Sequence, residues 1–128
     1  MSWEEHVKRL MAGPGIKQAG LFGLDGNPWA KSAGFNPSIT EVARLGKLVQ
    51  GGDGGGESII LCGTKYMFRS PADDGLLTVL SLGGDEKFVC NVCQTTRGMI
   101  IGVALASSAG ASREYLDKYK TYLKGIGY

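Results

Sequence analysis

One histidine and three cysteines are all the imidazole and thiol in this 128-residue chain, and that scarcity excludes several chemistries at once. A Ser/His/Asp triad would have only His6 to draw on, and no motif beside it suggests one. A zinc site built on Cys90 and Cys93 would need further ligands, for which the chain offers only Cys62 and His6, from distant elements. The glycine run Gly51-Gly52-Asp53-Gly54-Gly55-Gly56 lacks the Gly-Lys-Ser/Thr ending of a phosphate loop, and no strand leads into G-x-G-x-x-G. We therefore expect no enzyme, no cofactor and no metal. No run of about 20 apolar residues is present to cross a bilayer. Fourteen Lys+Arg against twelve Asp+Glu leave a charge of +2, too little to make nucleic acid the main partner. Met1-Ser2-Trp3-Glu4-Glu5-His6-Val7-Lys8 is charged from its fourth residue and does not read as a secretory signal. Three cysteines cannot all pair, and the only Asn-x-Ser/Thr triplet, Asn36-Pro37-Ser38, has the forbidden central proline. A cytoplasmic protein is the expectation.

Hydrophobic residues at 43% and charged residues at 20% fit a globular chain, and the length allows a single domain over 1–128. Glycine is abundant, 21 residues or about one in six, which implies many tight turns. Ser2-Trp3-Glu4-Glu5 has the capping-box form, and Trp3, His6, Val7, Leu10 and Met11 follow at helical spacing until Gly13-Pro14-Gly15. Ile16 to Gly23 suits a strand, and Leu24-Asp25-Gly26-Asn27 turns it into a second from Pro28 to Ser32. Ser38-Ile39-Thr40-Glu41 opens another helix, Thr40 to Gln50, which runs into the glycine-rich segment, read as a mobile loop.

Five β-rich runs follow: Ser58–Cys62, Lys65–Ser70, Leu76–Leu82, Lys87–Gln94 and Met99–Leu105. Turn signals at Cys62-Gly63, Pro71-Ala72-Asp73-Asp74-Gly75, Gly83-Gly84-Asp85 and Arg97-Gly98 suit an antiparallel meander. Ser112 is read as the cap of a last helix carrying Tyr115, Leu116, Tyr119, Tyr122, Leu123 and Ile126 on one side. The expected fold is α+β: a central antiparallel sheet of six or seven strands, the N- and C-terminal helices on one face and a further helix on the other. That order would bring Trp3 and Tyr122 together.

Trp and Tyr, each apolar with one polar atom, suit a surface that grips apolar groups while staying hydrated. Rigid proline-rich segments fit such a surface, since docking them costs little entropy and ring O–H and N–H groups can bond their carbonyls. Periodicity alone favours the plainer reading that these rings are helix core. A second alternative rests on Cys90-Asn91-Val92-Cys93, whose C-x-x-C spacing could serve a small cytosolic thiol redox protein. It lies in a β-favouring run, where residues three apart point to opposite faces.

Met1-Ser2-Trp3, the stretch from Leu24-Asp25-Gly26-Asn27-Pro28-Trp29 to Phe35, and Tyr122-Leu123-Lys124-Gly125-Ile126-Gly127-Tyr128 resemble profilin. Length and element order match as well, with a looser correspondence from Gly51 to Gln94. The resemblance implies a non-enzymatic, cytoskeleton-associated adaptor that binds monomeric actin, promotes its nucleotide exchange and docks proline-rich peptides of actin-assembly factors. By position it places the polyproline groove on Trp3, His6, Trp29, Tyr122 and Tyr128. Many members carry tyrosine where this chain has His6, which would add a group titrating near pH ~6.5 and make proline affinity change between about pH 5.5 and 7.5. The actin face falls on Met67, Arg69, Lys87, Arg113 and Lys118. Gly83-Gly84-Asp85-Glu86-Lys87 stands where members often have several lysines, so phosphoinositides are expected as weak partners only.

Overall fold

The computed structural model describes residues 2–51, 59–73, 75–81 and 86–128, with 68–73 described as backbone. The glycine-rich segment from Gly52 to Gly56 and the Gly83-Gly84-Asp85 turn lie outside the described residues. Helix α1 (Trp3–Met11) leads into strands β1 (Ile16–Gly23) and β2 (Pro28–Lys31), then helix α2 (Ile39–Val49). Strands β3 (Ile59–Leu61), β4 (Thr64–Asp73), β5 (Leu76–Ser81), β6 (Phe88–Gln94) and β7 (Gly98–Leu105) precede helix α3 (Ala109–Gly125). The strands form one antiparallel sheet in the order β2-β1-β7-β6-β5-β4-β3.

Alternation along the strands divides the apolar residues between two faces. Cys90 and Val92 of β6, with Met99 and Ile101 of β7, join Val42, Leu45, Leu48 and Val49 of α2 in one core. Val89 and Cys93 of β6, with Ile100 and Ala104 of β7, join Val7 and Leu10 of α1 and Leu116 and Leu123 of α3 in the other. The terminal helices thus cover one face and α2 the opposite one, as expected. Leu116 sits close to the sheet because β7 has Gly102 beneath it, where a Cβ would stand 2.6 Å from Leu116 Cδ1.

The capping box at α2 is complete: Ser38 Oγ accepts from Glu41 N–H at 3.1 Å, and Glu41 Oε1 accepts from Ser38 N–H at 2.9 Å. At α1, Ser2 Oγ accepts from Glu5 N–H at 3.3 Å. Two expectations need correction. Ser112 is no cap: the small residues Ala106–Ser108 form a 3-10 turn, α3 starts at Ala109, and Ser112 is buried inside it. Ser112 Oγ donates to Ala109 O at 3.1 Å and accepts from Asn91 Nδ2 at 3.5 Å, while Asn91 Oδ1 accepts from Thr78 Oγ1 at 2.8 Å. A buried asparagine needs these partners, and the serine supplies one. The second correction concerns Pro71-Ala72-Asp73, which continues β4 with shifted register against β5 instead of turning. Proline is tolerated where the ladder is already irregular.

Candidate functional site

The two ends of the chain meet. Trp3, in the first turn of α1, lies with its ring centroid 4.8 Å from Trp29 of β2 and 4.7 Å from Tyr128. Trp29 follows the hairpin that Asp25 organises: its carboxylate accepts from Asn27 N–H at 3.1 Å and Nδ2–H at 2.9 Å. Tyr128 is turned back by the end of α3, where Gly127 adopts φ +93°, Gly127 N–H donates to Lys124 O at 3.2 Å, and Tyr128 N–H donates to Leu123 O at 2.9 Å. This paired closure needs a residue at ease with positive φ, which glycine is. Tyr128 O also accepts from Arg97 N–H at 2.9 Å, and the Arg97 guanidinium stands 5.8 Å from the Tyr128 ring centroid.

His6 is the underlayer of this cluster. Its ring lies 5.5 Å from Trp3, 5.8 Å from Tyr119 and 6.3 Å from Tyr122, yet the residue is only 2% exposed. Its Nδ1 is 2.6 Å from the Tyr119 hydroxyl. Burial lowers the His6 pKa, aided by the positive charges of Arg9 and the N-terminus and opposed by Glu5. The imidazole is therefore neutral at pH 7. Burial raises the Tyr119 pKa, and the nearby Arg9 opposes that rise. Tyr115 O–H donates to Arg9 O, so a second phenol of α3 ties the two terminal helices together.

Above this layer the rings remain accessible. Tyr122 is 41% exposed, and Trp3, Trp29, Tyr119 and Tyr128 are half-buried. They rest on the core beneath α1 and α3 but keep an outer face in water, so the helix-core reading describes only their inner edges. Among the described residues, the indole N–H groups of Trp3 and Trp29 and the hydroxyls of Tyr122 and Tyr128 have no hydrogen-bond partner in the protein. The result is a wet aromatic shelf with unspent donors, a surface matched to extended segments whose carbonyls point outward. Tyr119 completes it, 5.4 Å from Tyr122. It shares the helical stripe with Tyr122 three residues on, so the spacing could have included it in the groove.

The residues placed on an actin face come from strand β4, the approach to β6 and helix α3. Met67 of β4 is 47% exposed, and Lys87 is exposed just before β6. Arg113 is half-buried and near enough to Cys93 to favour its thiolate. Lys118 lines a shallow concavity of about 250 Å³ with Arg9, Tyr115, Tyr119 and Tyr122, and pairs with Glu114 at 3.3 Å. It sits at the border of the aromatic shelf. The Arg69 side chain lies outside the described residues.

The redox alternative has no support. Cys90 and Cys93 are both fully buried and belong to the cores on opposite sides of the sheet, as their spacing in a strand requires. Burial raises both pKa values, Cys93 to about 12, whereas a reactive thiol needs a lowered one. The exposed Cys62 is also raised, chiefly by desolvation.

A family model described as Profilin matches residues 1–128. Profilin-1 of Entamoeba histolytica is 31% identical over 134 aligned positions that take in 100% of both chains. The crystal structure of Acanthamoeba castellanii profilin II superposes with a TM-score of 0.82 at 28% identity, covering 99% of this chain and 100% of that one. Two more distant structures share the fold at 17% identity. Mouse profilin IIa, solved in complex with a double repeat from the FH1 domain of mDia1, has a TM-score of 0.78 and covers 100% of both chains. A LokiProfilin2 and rabbit actin complex has a TM-score of 0.66, covering 94% of this chain and 98% of that one.

Proposed function

The chain belongs to the profilin family, and from that premise we propose that it binds monomeric actin and docks proline-rich segments of actin-assembly factors, regulating polymerisation and nucleotide exchange. One observation carries the proline half of this reading: Trp3, Trp29, Tyr122 and Tyr128, from both chain ends and a hairpin, gather on one accessible shelf whose donors have no partner among the described residues. Proline-rich peptide lies across these rings at little entropic cost. His6 acts from below, holding Tyr119 and filling the space under Trp3 and Tyr122. The actin face takes Met67, Arg69, Lys87, Arg113 and Lys118, with Met67 as the adaptable apolar contact.

Joining the two surfaces in one domain, residues 1–128, makes the protein an adaptor. A partner bound through prolines gains a raised local concentration of actin without any new contact. Exchange on actin follows from favouring a conformation of the partner with an open nucleotide cleft, so the chain itself needs no catalytic group. Three free thiols suit a cytoplasmic setting. Phosphoinositides are weak partners at best, since Glu86 and Lys87 offset one another in charge.

The test is retention on immobilised polyproline with elution by free peptide, alongside inhibition of actin polymerisation. Trp3→Ala and Tyr122→Ala should both abolish or sharply reduce retention while each variant still melts cooperatively and still sequesters actin. Retention undiminished in both variants would remove the shelf from the account.

A further inference from the structure

Helix α1 packs on β1 and β2, whereas α3 packs on β6 and β7, so α1 has α3 along one flank and the outermost strand β2 along the other. Between α1 and the end of β2 lies an open groove of about 410 Å³. Val7 and Met11 of α1 line it together with Ala33, and three charged residues stand at its sides: Glu4 and Lys8 of α1 and Lys31 of β2. Val7 is buried and Met11 half-buried, which gives the groove an apolar floor. Because β2 is the last strand of the sheet, no further strand walls the groove from outside.

The groove continues the aromatic shelf. Trp3 and Trp29, with ring centroids 4.8 Å apart, form its first rung, and the residues that follow each of them supply the rest. Helix and strand therefore run in the same direction along it. Lys8 is five residues beyond Trp3, roughly 7.5 Å at about 1.5 Å per helical residue. Lys31 is two residues beyond Trp29, roughly 6.6 Å at about 3.3 Å per strand residue. The two lysines thus leave the backbone at the same level, ~7 Å past the indoles, and Met11 follows at roughly 12 Å. An extended proline-rich segment rises about 3.1 Å per residue, so the second residue past the indoles reaches the lysines and the fourth reaches Met11.

Charge decides what such a flank carries. Lys8 and Lys31 are exposed and have no ion pair among the described residues. Glu4 stands one residue past Trp3, at the shelf end of the groove and a helical turn before Lys8. An anion is therefore repelled beside the indoles and attracted at the level of the lysines.

Resting on the proline-docking reading of the shelf, we propose that this groove seats the flank of the proline-rich ligand. It selects a segment with an acidic residue two positions beyond the prolines seated on Trp3 and Trp29, and an apolar residue two positions further on. The carboxylate meets Lys8 and Lys31, and the apolar side chain lies against Val7 and Met11.

The experiment titrates the full chain, followed by tryptophan fluorescence, with end-blocked decaproline and with decaproline extended by Ala-Glu-Ala-Leu after the prolines or by Leu-Ala-Glu-Ala before them. Matched controls carry lysine in place of the glutamate. At least one extended peptide should bind about 3- to 10-fold tighter than decaproline, the lysine controls should not, and the gain should shrink in about 0.5 M salt. Lys31→Glu should reverse the preference toward the lysine peptide while leaving decaproline affinity within about twofold. Lys31 is exposed, so the variant keeps the fold. Failure of the native chain to bind decaproline overturns the shelf reading and the groove with it. Decaproline binding with no gain from either extension, an equal gain from the lysine controls, or a preference unmoved by Lys31→Glu overturns the groove alone. A dimer of the free chain that Lys31→Glu dissolves would give the groove to a second copy of the chain and overturn the proposal as well.

Discussion

Trp29 rests directly on Gly98: a Cβ built on that glycine would stand 2.7 Å from Trp29 Cη2 and 2.9 Å from Cζ2. Gly98 pairs with Gly23 across β1 and β7, so the indole of β2 finds a floor without side chains. The same Cβ would come within 2.3 Å of the Phe22 carbonyl oxygen, which is backbone and cannot swing aside. Gly98→Ala should therefore cost about 1–3 kcal/mol through overpacking. It should also displace the indole, red-shifting tryptophan emission and weakening polyproline retention. An unchanged melting temperature, measured by circular dichroism, would mean that the strands separate at no cost.

Met67 offers the cleanest entry to the proposed actin face. It is 47% exposed, so truncation removes little buried area and Met67→Ala should change stability by less than about 0.5 kcal/mol. Actin affinity should fall several-fold, up to about tenfold, equivalent to ~1.4 kcal/mol, with retention on polyproline unaltered. Lys118→Glu is a different case because Lys118 borders Tyr115, Tyr119 and Tyr122. Assayed in parallel, it should disturb both ligands, and an effect on actin alone would detach Lys118 from the shelf.

Thiol labelling should divide the cysteines one against two. Cys62 is exposed and should react in the native protein, more slowly than a free thiol near neutral pH because its pKa is raised. Cys90 and Cys93 should stay silent until denaturant is added, since both are fully buried thiols held in the protonated form. Two fast native labels would reopen a thiol chemistry for the C-x-x-C pair.

Local signals foretold the elements well wherever they rest on contacts between near neighbours. The Ser38–Glu41 capping box formed as its spacing requires, and the alternation through Cys90 and Cys93 sent them to separate cores. Ser112 misled because a serine after small residues resembles a cap, while its actual partner, Asn91, lies 21 residues away. The same limit applies to the site. Trp3, Trp29 and Tyr128 could be grouped by family resemblance, but the floor at Gly98 and the Tyr119 hydroxyl over His6 are contacts across strands and helices that no local pattern encodes. Glu41 shows it again: beyond its capping role, its Oε1 accepts from Cys62 N–H at 3.1 Å and ties the β3–β4 turn to α2.

The burial of His6 changes what pH should do. Its position under Trp3 and against Tyr119 pulls its pKa below the ordinary 6.5, with Arg9 and the N-terminal amine adding to the effect of burial and Glu5 opposing it. The unfolded chain then binds a proton more readily than the native one between the two pKa values, so protonation favours unfolding. The stabilising contribution of neutral His6 is fully present above pH 6.5 and is lost as pH falls through the depressed native value. Because His6 is the chain's only histidine, its Cε1 proton gives a single resonance to follow. The midpoint should lie below 6.5, and the pH dependence of melting in that window should flatten in His6→Gln. Polyproline affinity should accordingly be level between about pH 6.5 and 7.5 and decline only on further acidification, as a charge on the buried imidazole loosens the layer on which Trp3 and Tyr122 rest. A midpoint at or above 6.5 would show instead that the ring titrates in water, and the shelf would then have no ionisable support beneath it.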